Sequence, residues 1–272
     1  ALEANALLIR TLAGTEAISK PYRFELELLG TQTDIDSTAV IQAPASVGVK
    51  QSVLLSSTVK RGVRTLKIHG VLAEFDQCGL EGSAAIYRAV VVPRLWRLSL
   101  TVHNRIFLEK TVPQIVEEIL KENGFTKADY EFRTASRTYA TREYVVQYAE
   151  SDLDFVSRLM EHEGIYYTFE QSDDTDKLIF GDSSDDCQPI VGGDTIAYRP
   201  KTGGKAAEWL DAEAVRTFAL RHRPIPSKVL LQDFNYRTPS VPLNAEAAVV
   251  PHGVGTYFEY GAHYKDTQEG TW

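Results

Sequence analysis

The sequence predicts a mainly β fold with a mixed α+β insertion. Aromatic and β-branched residues cluster in short runs, as strands require, and glycines recur between these runs at spacings suited to turns. Only two stretches combine apolar residues at helical spacing with capping residues. With 272 residues and 43% hydrophobic content, the chain is long enough for one large domain or two ordinary ones, each with a real core.

The part of the chain up to Pro93 is rich in strand-like runs. Phe24, Leu26 and Leu28 alternate with acidic residues, which is the pattern of a sheet with one face in water. The predicted strands of this part are Ala6–Ile9, Tyr22–Leu29, Ser46–Leu55, Leu66–Phe75 and Ala84–Val92. We expect them to form an antiparallel barrel or sandwich.

The first predicted helix opens at Thr111, which has Gln114 at the third helical position, the pair that a capping box requires. Pro113 falls in the first turn, where its missing N–H group costs nothing. Asn123-Gly124 ends the helix. The apolar residues at helical spacing between these limits are Val112, Ile115, Val116, Ile119 and Leu120.

The hydrophobic period changes twice between Arg142 and Glu170. A first strand face is formed by Tyr144, Val146 and Tyr148. Ser151 and Asp154 then have the spacing of a capping box, and helical spacing continues until Gly164. After Gly164 the apolar residues again recur at every second position, in Ile165, Tyr167 and Phe169, as in a strand. The segment therefore predicts a strand, a helix and a strand, and we expect the capped helix and both aromatic strands to pack a middle domain.

The last third of the chain contains one ambiguous stretch. Between Lys205 and Leu220 the Ala and Glu content favours a helix, whereas the prolines and the alternation that follow favour a sheet that resumes by Val215. Gly253-Val254-Gly255 lacks the third glycine of a dinucleotide loop and predicts a turn. The remaining predicted strands are Lys177–Phe180, Val215–Leu220, Lys228–Tyr236 and Thr256–Tyr260.

Charge and composition narrow the possible partners and compartments. A formal net charge of −8 provides no basic surface for nucleic acid or anionic lipid. The apolar run Ala6–Ile9 is too short for a signal peptide or a membrane span, so we expect synthesis in the cytoplasm without a signal peptide. Cys78 and Cys187 lie far apart in sequence, which does not decide whether they are close in space.

No catalytic residue, cofactor or metal site is predicted. The phrase His162-Glu163-Gly164-Ile165-Tyr166 begins like the zinc motif H-E-x-x-H, but Tyr166 stands where the second histidine ligand must be. Two of the carboxylates near this helix could form the catalytic pair of a glycosidase. The simpler interpretation is that Asp152 and Asp154 complement the helix N-terminus and that the others face water. The five carboxylates are Glu150, Asp152, Asp154, Glu161 and Glu163. Aromatic residues near the end fit a sugar-stacking platform or the more usual core or subunit interface. These are Tyr257, Phe258, Tyr260 and Tyr264.

Several phrases of the sequence point to one family. They are Pro21-Tyr22-Arg23-Phe24-Glu25-Leu26, Val92-Pro93-Arg94-Leu95-Trp96-Arg97-Leu98, Arg105-Ile106-Phe107, Thr111-Val112-Pro113, the segment from Arg142 to Glu170, Ala197-Tyr198-Arg199-Pro200, the segment from Val229 to Tyr236, Tyr257-Phe258-Glu259-Tyr260 and Tyr264-Lys265-Asp266. Together they resemble the VgrG spike proteins of bacterial type VI secretion, over almost the whole chain and in the same order.

The resemblance implies a fold like the hub at the base of a contractile phage tail spike. Two barrel-like β domains, residues 1–103 and 183–272, would flank a mixed α+β domain of residues 104–182, with the second barrel incomplete at its C-terminal end. It also implies a homotrimer that seats on the hexameric Hcp tube, with baseplate proteins and effectors as further partners. We expect the needle and any C-terminal effector domain of the family to lie outside this sequence.

The sequence therefore predicts a structural hub that is not an enzyme and binds neither nucleic acid nor membrane directly. The resemblance implies export by type VI secretion to the extracellular space or a target cell. Two other functions stay open. A peptidoglycan-acting glycoside hydrolase would need two carboxylates about 5 to 10 Å apart in a cleft, and an adhesin-like binding module would use the tyrosine-rich end.

Overall fold

A computed structural model describes residues 7–41, 44–54, 61–134, 138–172, 175–187, 198, 215, 217–261, 264 and 266. The chain divides into two units, of which the first contains Ala1–Ala197 and Lys201–Ala214 and the second contains Tyr198–Pro200 and Val215–Trp272. The described parts of both units are built mainly from strands, which confirms the predicted mainly β fold class.

An antiparallel sheet of five strands begins the first unit, in the order β1-β2-β5-β4-β3. The strands are β1 (Leu7–Ala17), β2 (Lys20–Gly30), β3 (Pro44–Leu54), β4 (Arg61–Glu81) and β5 (Ala84–Val92), and a single helical turn, α1 (Ser37–Val40), links β2 to β3. All five predicted strands are present. Gly82 has a φ of +62° in the tight turn between β4 and β5, a conformation that favours glycine.

The two faces of this sheet differ as the alternation predicts. Phe24, Leu26 and Leu28 are buried in one hydrophobic cluster. The opposite face carries charged side chains that pair across strands, as Arg10 does with Glu27 at 3.1 Å. One face therefore supplies the core, and the other is solvated.

A helix-bearing part follows within the first unit. Its elements are a 3-10 helix (Arg94–Leu100), β6 (Val102–Lys110), α2 (Val112–Glu122), β7 (Tyr130–Arg133), β8 (Arg142–Ser151), α3 (Asp152–Glu163), β9 (Tyr166–Gln171) and β10 (Asp176–Gly181). Strands β7, β10 and β9 form a three-stranded sheet in that order, while β6 and β8 pair with each other as a two-stranded antiparallel ribbon. The sequence did not predict β6, β7 or the 3-10 helix.

Both predicted helices are present with their predicted caps. Thr111 and Gln114 form the reciprocal capping box of α2. At α3 only half of the predicted box forms, because the Asp154 carboxylate accepts a hydrogen bond from the Ser151 hydroxyl instead of the Ser151 main chain. Gly164 ends α3 with a φ of +66°. The apolar faces of both helices share one buried cluster.

The second unit contains a three-stranded sheet in the order β12-β11-β13. Its strands are β11 (Lys228–Asp233), β12 (Leu243–Ala248) and β13 (Thr256–Tyr260). Strand β11 ends before the predicted Tyr236, since the Asp233 carboxylate accepts a hydrogen bond from the next main-chain N–H at 2.7 Å. Gly255, with a φ of +79°, lies in the turn that was predicted before β13.

The predicted strand Val215–Leu220 is wrong. Val215 forms only an isolated bridge with Tyr198, and residues 217–220 lie outside any strand. A strand needs a neighbour that pairs with its main chain, and none of the described strands pairs with this stretch. The alternative helix between Lys205 and Leu220 falls mostly outside the described residues.

Candidate functional site

The β6–β8 ribbon presents an apolar face to solvent. Five side chains on this face are between 41% and 76% exposed, and they define what we call the outer face of the ribbon: Ile106, Leu108, Tyr144, Val146 and Tyr148. Ile106 lies opposite Val146, and Leu108 lies opposite Tyr144. Adjacent apolar side chains that stay exposed mark interaction sites more often than chance exposure does.

This exposure corrects part of the prediction for the segment from Arg142 to Glu170. The aromatic residues of β9 pack the core as expected, with Tyr167 buried. Those of β8 do not, because Val145 and Gln147, which alternate with them along the strand, are buried instead. Because side chains alternate between the two faces of a strand, a shift by one residue moves every side chain to the other face.

The inner face of the ribbon is fixed to the helices by packing. Phe107 on β6 and Val145 on β8 are buried in the same cluster as α2 and α3. The Phe107 ring stacks on the Phe155 ring of α3, with a distance of 5.6 Å between ring centroids. The outer face is therefore carried by a ribbon that is anchored from behind.

A buried polar network also ties the ribbon to both helices. The side chain of Asp152 is only 1% exposed. Its Oδ1 atom lies 2.9 Å from a guanidinium nitrogen of Arg105, 2.9 Å from Nδ1 of His103 and 2.9 Å from Nε2 of Gln147. Its Oδ2 atom accepts a hydrogen bond from Asn123, which follows α2, at 3.3 Å. One carboxylate thus joins β6, β8, α3 and the end of α2.

The charge state of Asp152 follows from these contacts. Burial acts to raise the pKa of the Asp152 carboxyl, but hydrogen bonds from Gln147 and His103 and the positive charge of Arg105 outweigh it and lower the pKa. The carboxylate is therefore ionised at neutral pH, and it is both paired and fully hydrogen-bonded. Its role is structural, since every neighbour points at it from within the fold.

The side chains of the zinc-like phrase are engaged in contacts within the fold. His162 and Glu163 both contact the guanidinium of Arg142, at 2.9 and 2.6 Å, and the hydroxyl of Tyr166 donates to the carbonyl of Ser183. Among the described residues, no group of three or more histidine, cysteine or acidic side chains could hold a metal ion.

The carboxylates considered for glycoside hydrolysis are engaged elsewhere. Glu150 pairs with Arg158 at 2.6 Å, Asp154 caps α3, and Asp152 is buried. Glu163 is paired with Arg142, and Glu161 is exposed on α3. Four of the five groups are therefore engaged in contacts within the fold, and Glu161 faces solvent.

A polar crevice in the first unit contains a partly buried carboxyl group, that of Asp176. His69, Arg94 and Asp176 line it. Burial raises the pKa of Asp176, and a hydrogen bond from the Tyr22 hydroxyl, 3.1 Å away, partly offsets this rise. A perturbed acid in a crevice is a signal of function. Asp129, which lines a smaller crevice together with Arg94 and Asp176, is paired with Arg94 at 3.5 Å, so the two carboxyl groups differ in environment.

The remaining candidate residues are distributed over both units. In the second unit Tyr257, Phe258 and Tyr260 of β13 are exposed, whereas Tyr264 is buried and donates its hydroxyl to a main-chain carbonyl at 2.6 Å. Cys78 and Cys187 are both free and exposed. Among the described residues no helix has the length and apolar character to cross a membrane.

Sequence reasoning missed the partners of Asp152. The interpretation that Asp152 complements a helix N-terminus captured its position but not its burial. Arg105 and His103 were not selected because β6 itself was not predicted. Arg105 lies two residues before the buried Phe107. Because side chains two apart in a strand lie on the same face, this spacing would have placed Arg105 on the inner face.

Comparison with known proteins identifies the family. A family model described as the phage tail baseplate hub (GPD) matches residues 15–272. The type VI secretion system spike protein VgrG5 of Pseudomonas aeruginosa is 34% identical over 232 residues, covering 85% of this chain and 27% of that protein. The spike protein VgrG4b of the same organism is also 34% identical, covering 97% of this chain and 31% of that protein.

A solved structure supports the same assignment. The E. coli protein c3393, described as a component of the type VI secretion system with structural similarity to the T4 bacteriophage tail proteins gp27 and gp5, has a TM-score of 0.54 and 28% identity. The match covers 66% of this chain and 49% of that chain. This chain spans about a third of the length of the curated relatives that it matches. The predicted resemblance to VgrG spike proteins is confirmed, and the chain belongs to the phage tail baseplate hub family.

Proposed function

We propose that this chain is the structural hub of a type VI secretion spike. Three copies assemble into a base, the base docks on the Hcp tube, and the assembled spike carries its needle and effectors. Family membership supports the spike assignment. The chain acts as a scaffold and not as an enzyme, and type VI secretion exports it after synthesis in the cytoplasm.

The outer face of the ribbon is the observation that carries this proposal. A hub works through protein interfaces, and the fully buried centre of such an interface is apolar and depleted of charge. Ile106, Leu108, Tyr144, Val146 and Tyr148 have this composition and remain accessible. Because the ribbon is packed against the helices, these side chains lose less conformational entropy on binding than side chains on a flexible loop would.

The domain division belongs to the same proposal. Residues 1–103 and 183–272 form two barrel-like modules, and residues 104–182 form the mixed domain between them. Three copies then present six similar modules, which match the six subunits of an Hcp ring. This symmetry match is the reason for proposing a trimer over other oligomers.

Retention on immobilised Hcp rings tests the proposal. We expect the chain to be retained with a stoichiometry of three chains per hexameric ring, and Hcp dissociated into single subunits should retain far less. Failure to bind intact rings at any chain concentration would contradict the docking role. Peptidoglycan hydrolysis that is lost in Glu150→Gln or Glu161→Gln would instead support the hydrolase alternative.

A further inference from the structure

The five-stranded sheet of the first unit meets the hairpin of β9 and β10 along a line of contacts that we call the seam. The Tyr22 ring on β2 packs edge-on against the Phe169 ring on β9, with 4.9 Å between ring centroids. Phe169 also packs against the cluster that contains the helices. The main-chain N–H of Ser19 donates to the carbonyl of Tyr167 on β9 at 2.9 Å. Apolar and main-chain contacts therefore join the sheet to the hairpin.

Polar contacts of His69 on β4 continue the seam. The main-chain N–H of His69 donates to Oε1 of Gln171 at 2.9 Å, and Nε2 of its ring lies 3.2 Å from the carbonyl oxygen of Ser172. Because a carbonyl oxygen can only accept, Nε2 carries the hydrogen in this contact. Asp176 lies opposite Gln171 in the pairing of β9 with β10, and it reaches the sheet through the hydroxyl of Tyr22.

The Tyr22 hydroxyl has two oxygen neighbours but only one hydrogen. It donates to the carbonyl oxygen of His69, and Oδ2 of Asp176 lies 3.1 Å from the same hydroxyl. A hydroxyl donates one hydrogen and accepts through its lone pairs. If Asp176 is ionised, its carboxylate competes with the His69 carbonyl for that hydrogen. If Asp176 is protonated, it donates to Tyr22 while Tyr22 donates to His69, and both contacts are hydrogen bonds.

We infer that protonation of Asp176 tightens the seam between the five-stranded sheet and the β9–β10 hairpin, so that this junction responds to pH. The proton completes a chain of two hydrogen bonds, which links Asp176 on β10 to Tyr22 on β2 and Tyr22 to His69 on β4. Loss of the proton leaves one hydrogen for two acceptors. The junction lies within a single chain, so the hub proposal and this pH response can each fail without the other.

The surroundings of Asp176 favour its protonated form. The titratable and charged groups that face Asp176 or Tyr22 from the elements packed against them are Glu16, Tyr22, His69, Arg94, Arg97 and Asp129. Burial raises the pKa of the Asp176 carboxyl, and the Tyr22 hydrogen bond and positive charge on His69 do not cancel this rise. The negative charge of Asp129 adds to it. Arg94 is paired with Asp129 at 3.5 Å.

The direction of the pH response follows from this environment. A carboxyl group whose pKa is higher in the closed seam than in the open chain binds its proton more tightly when the seam is closed. The contribution of Asp176 to the seam is therefore complete below about pH 3.9, the ordinary pKa of aspartate. It is lost as the pH rises through the raised pKa. The seam should be tighter at pH 4.5 than at pH 7.

Hydrogen exchange of two main-chain amides reports opening of the seam. They are the N–H groups of Ser19 and His69, which donate across it to Tyr167 and Gln171. In the wild-type chain we expect their protection, corrected for the intrinsic effect of pH on exchange, to rise severalfold between pH 7 and pH 4.5. The amides of α2 provide an internal reference and should not share this rise, because the effect of Asp176 is local.

Three variants of the 272-residue chain test the role of the proton. Asp176→Asn supplies an amide that donates at every pH, so the protection of Ser19 and His69 should already be strong at pH 7 and change little at pH 4.5. Tyr22→Phe removes the shared hydroxyl and should give weak protection at both pH values. The matched control, Asp185→Asn, makes the same change as Asp176→Asn at an exposed position of the first unit and should keep the wild-type pH response.

Several results would overturn the pH response of the seam. One is wild-type protection that does not rise on acidification, and another is a rise that persists in Asp176→Asn. A rise shared by α2 would report a change of the whole unit and would contradict a local effect. If Asp176→Asn does not fold, Tyr22→Phe still decides, because a pH response that persists without the hydroxyl contradicts the hydrogen-bond chain.

Discussion

Leu108 on β6 and Tyr144 on β8 lie directly opposite each other, and both side chains are more than 60% exposed. A cross-strand pair of this kind stabilises a ribbon by about 0.2–1 kcal/mol. Their exposure leaves most of the hydrophobic free energy of these side chains ungained, and burial at an interface would supply it at about 25 cal/mol per Å². The ribbon is thus packed on its inner side and exposes apolar side chains on its outer side.

Removal of the buried carboxylate should destabilise the first unit. Asp152→Ala leaves Arg105 and the amide of Gln147 without their common acceptor. Because Arg105 keeps its pairing with Glu122, the expected cost is that of lost hydrogen bonds to a charged group, about 1.5–3 kcal/mol. Urea unfolding should report this loss. The control Glu118→Ala removes a more exposed pair with Lys110, whose side chains are 33% and 39% exposed, and should cost less than about 1 kcal/mol. Equal effects of the two substitutions on stability would contradict the proposal that the Asp152 carboxylate holds β6 and β8 to the helices.

Acid should remove the contribution of Glu117. Hydrogen bonds from Lys121 and Lys127 lower the pKa of Glu117 to about 2, against about 4.3 for a glutamate in an unfolded chain. Because the folded-state pKa is the lower one, the stabilisation is full above about pH 4.3 and is lost as the pH falls towards 2. The stability of the wild type relative to Glu117→Gln, measured by urea unfolding between pH 6 and 2, should decrease in that window. If the stability of the wild type relative to Glu117→Gln instead increased on acidification, the prediction would be wrong.

The hydroxyl of Tyr22 should contribute to the stability of the first sheet. It donates to the carbonyl of His69 and lies 3.1 Å from Oδ2 of Asp176, and Tyr22 is 1% exposed. Tyr22→Phe should therefore cost about 1–3 kcal/mol, because buried acceptors lose their donor. Tyr148→Phe, at an exposed position, is the control and should change stability by less than about 0.5 kcal/mol. Thermal and urea unfolding that do not distinguish these variants would contradict this account.

Local chemistry made some elements predictable from the sequence. The bounds of α2 and α3 follow from Thr111, Ser151 and Gly164, since capping residues and a left-handed glycine act within one turn of the chain. Strand β2 follows from the clear alternation of Phe24, Leu26 and Leu28 with acidic residues. Each of these signals is contained in a few neighbouring residues.

Long-range pairing explains the elements that were missed. Strand β12 consists of residues with low strand propensity, yet it forms because it pairs along the whole of β11. Strand β6 contains an irregularity between His103 and Arg105 that interrupts its alternation. The Asp152 network also depends on the register between β6 and β8, which no local pattern encodes, so the sequence could place Arg105 on the inner face but could not pair it with Asp152.

We propose that three copies of this chain form the hub, and the mass of the chain in solution tests this assembly most directly. Light scattering over a concentration series gives the solution mass directly, and one chain has a mass of 30.3 kDa. We expect the mass to rise with concentration to three times this value and to remain there, without larger species. A mass of one chain at every concentration, with and without Hcp rings, would contradict the account.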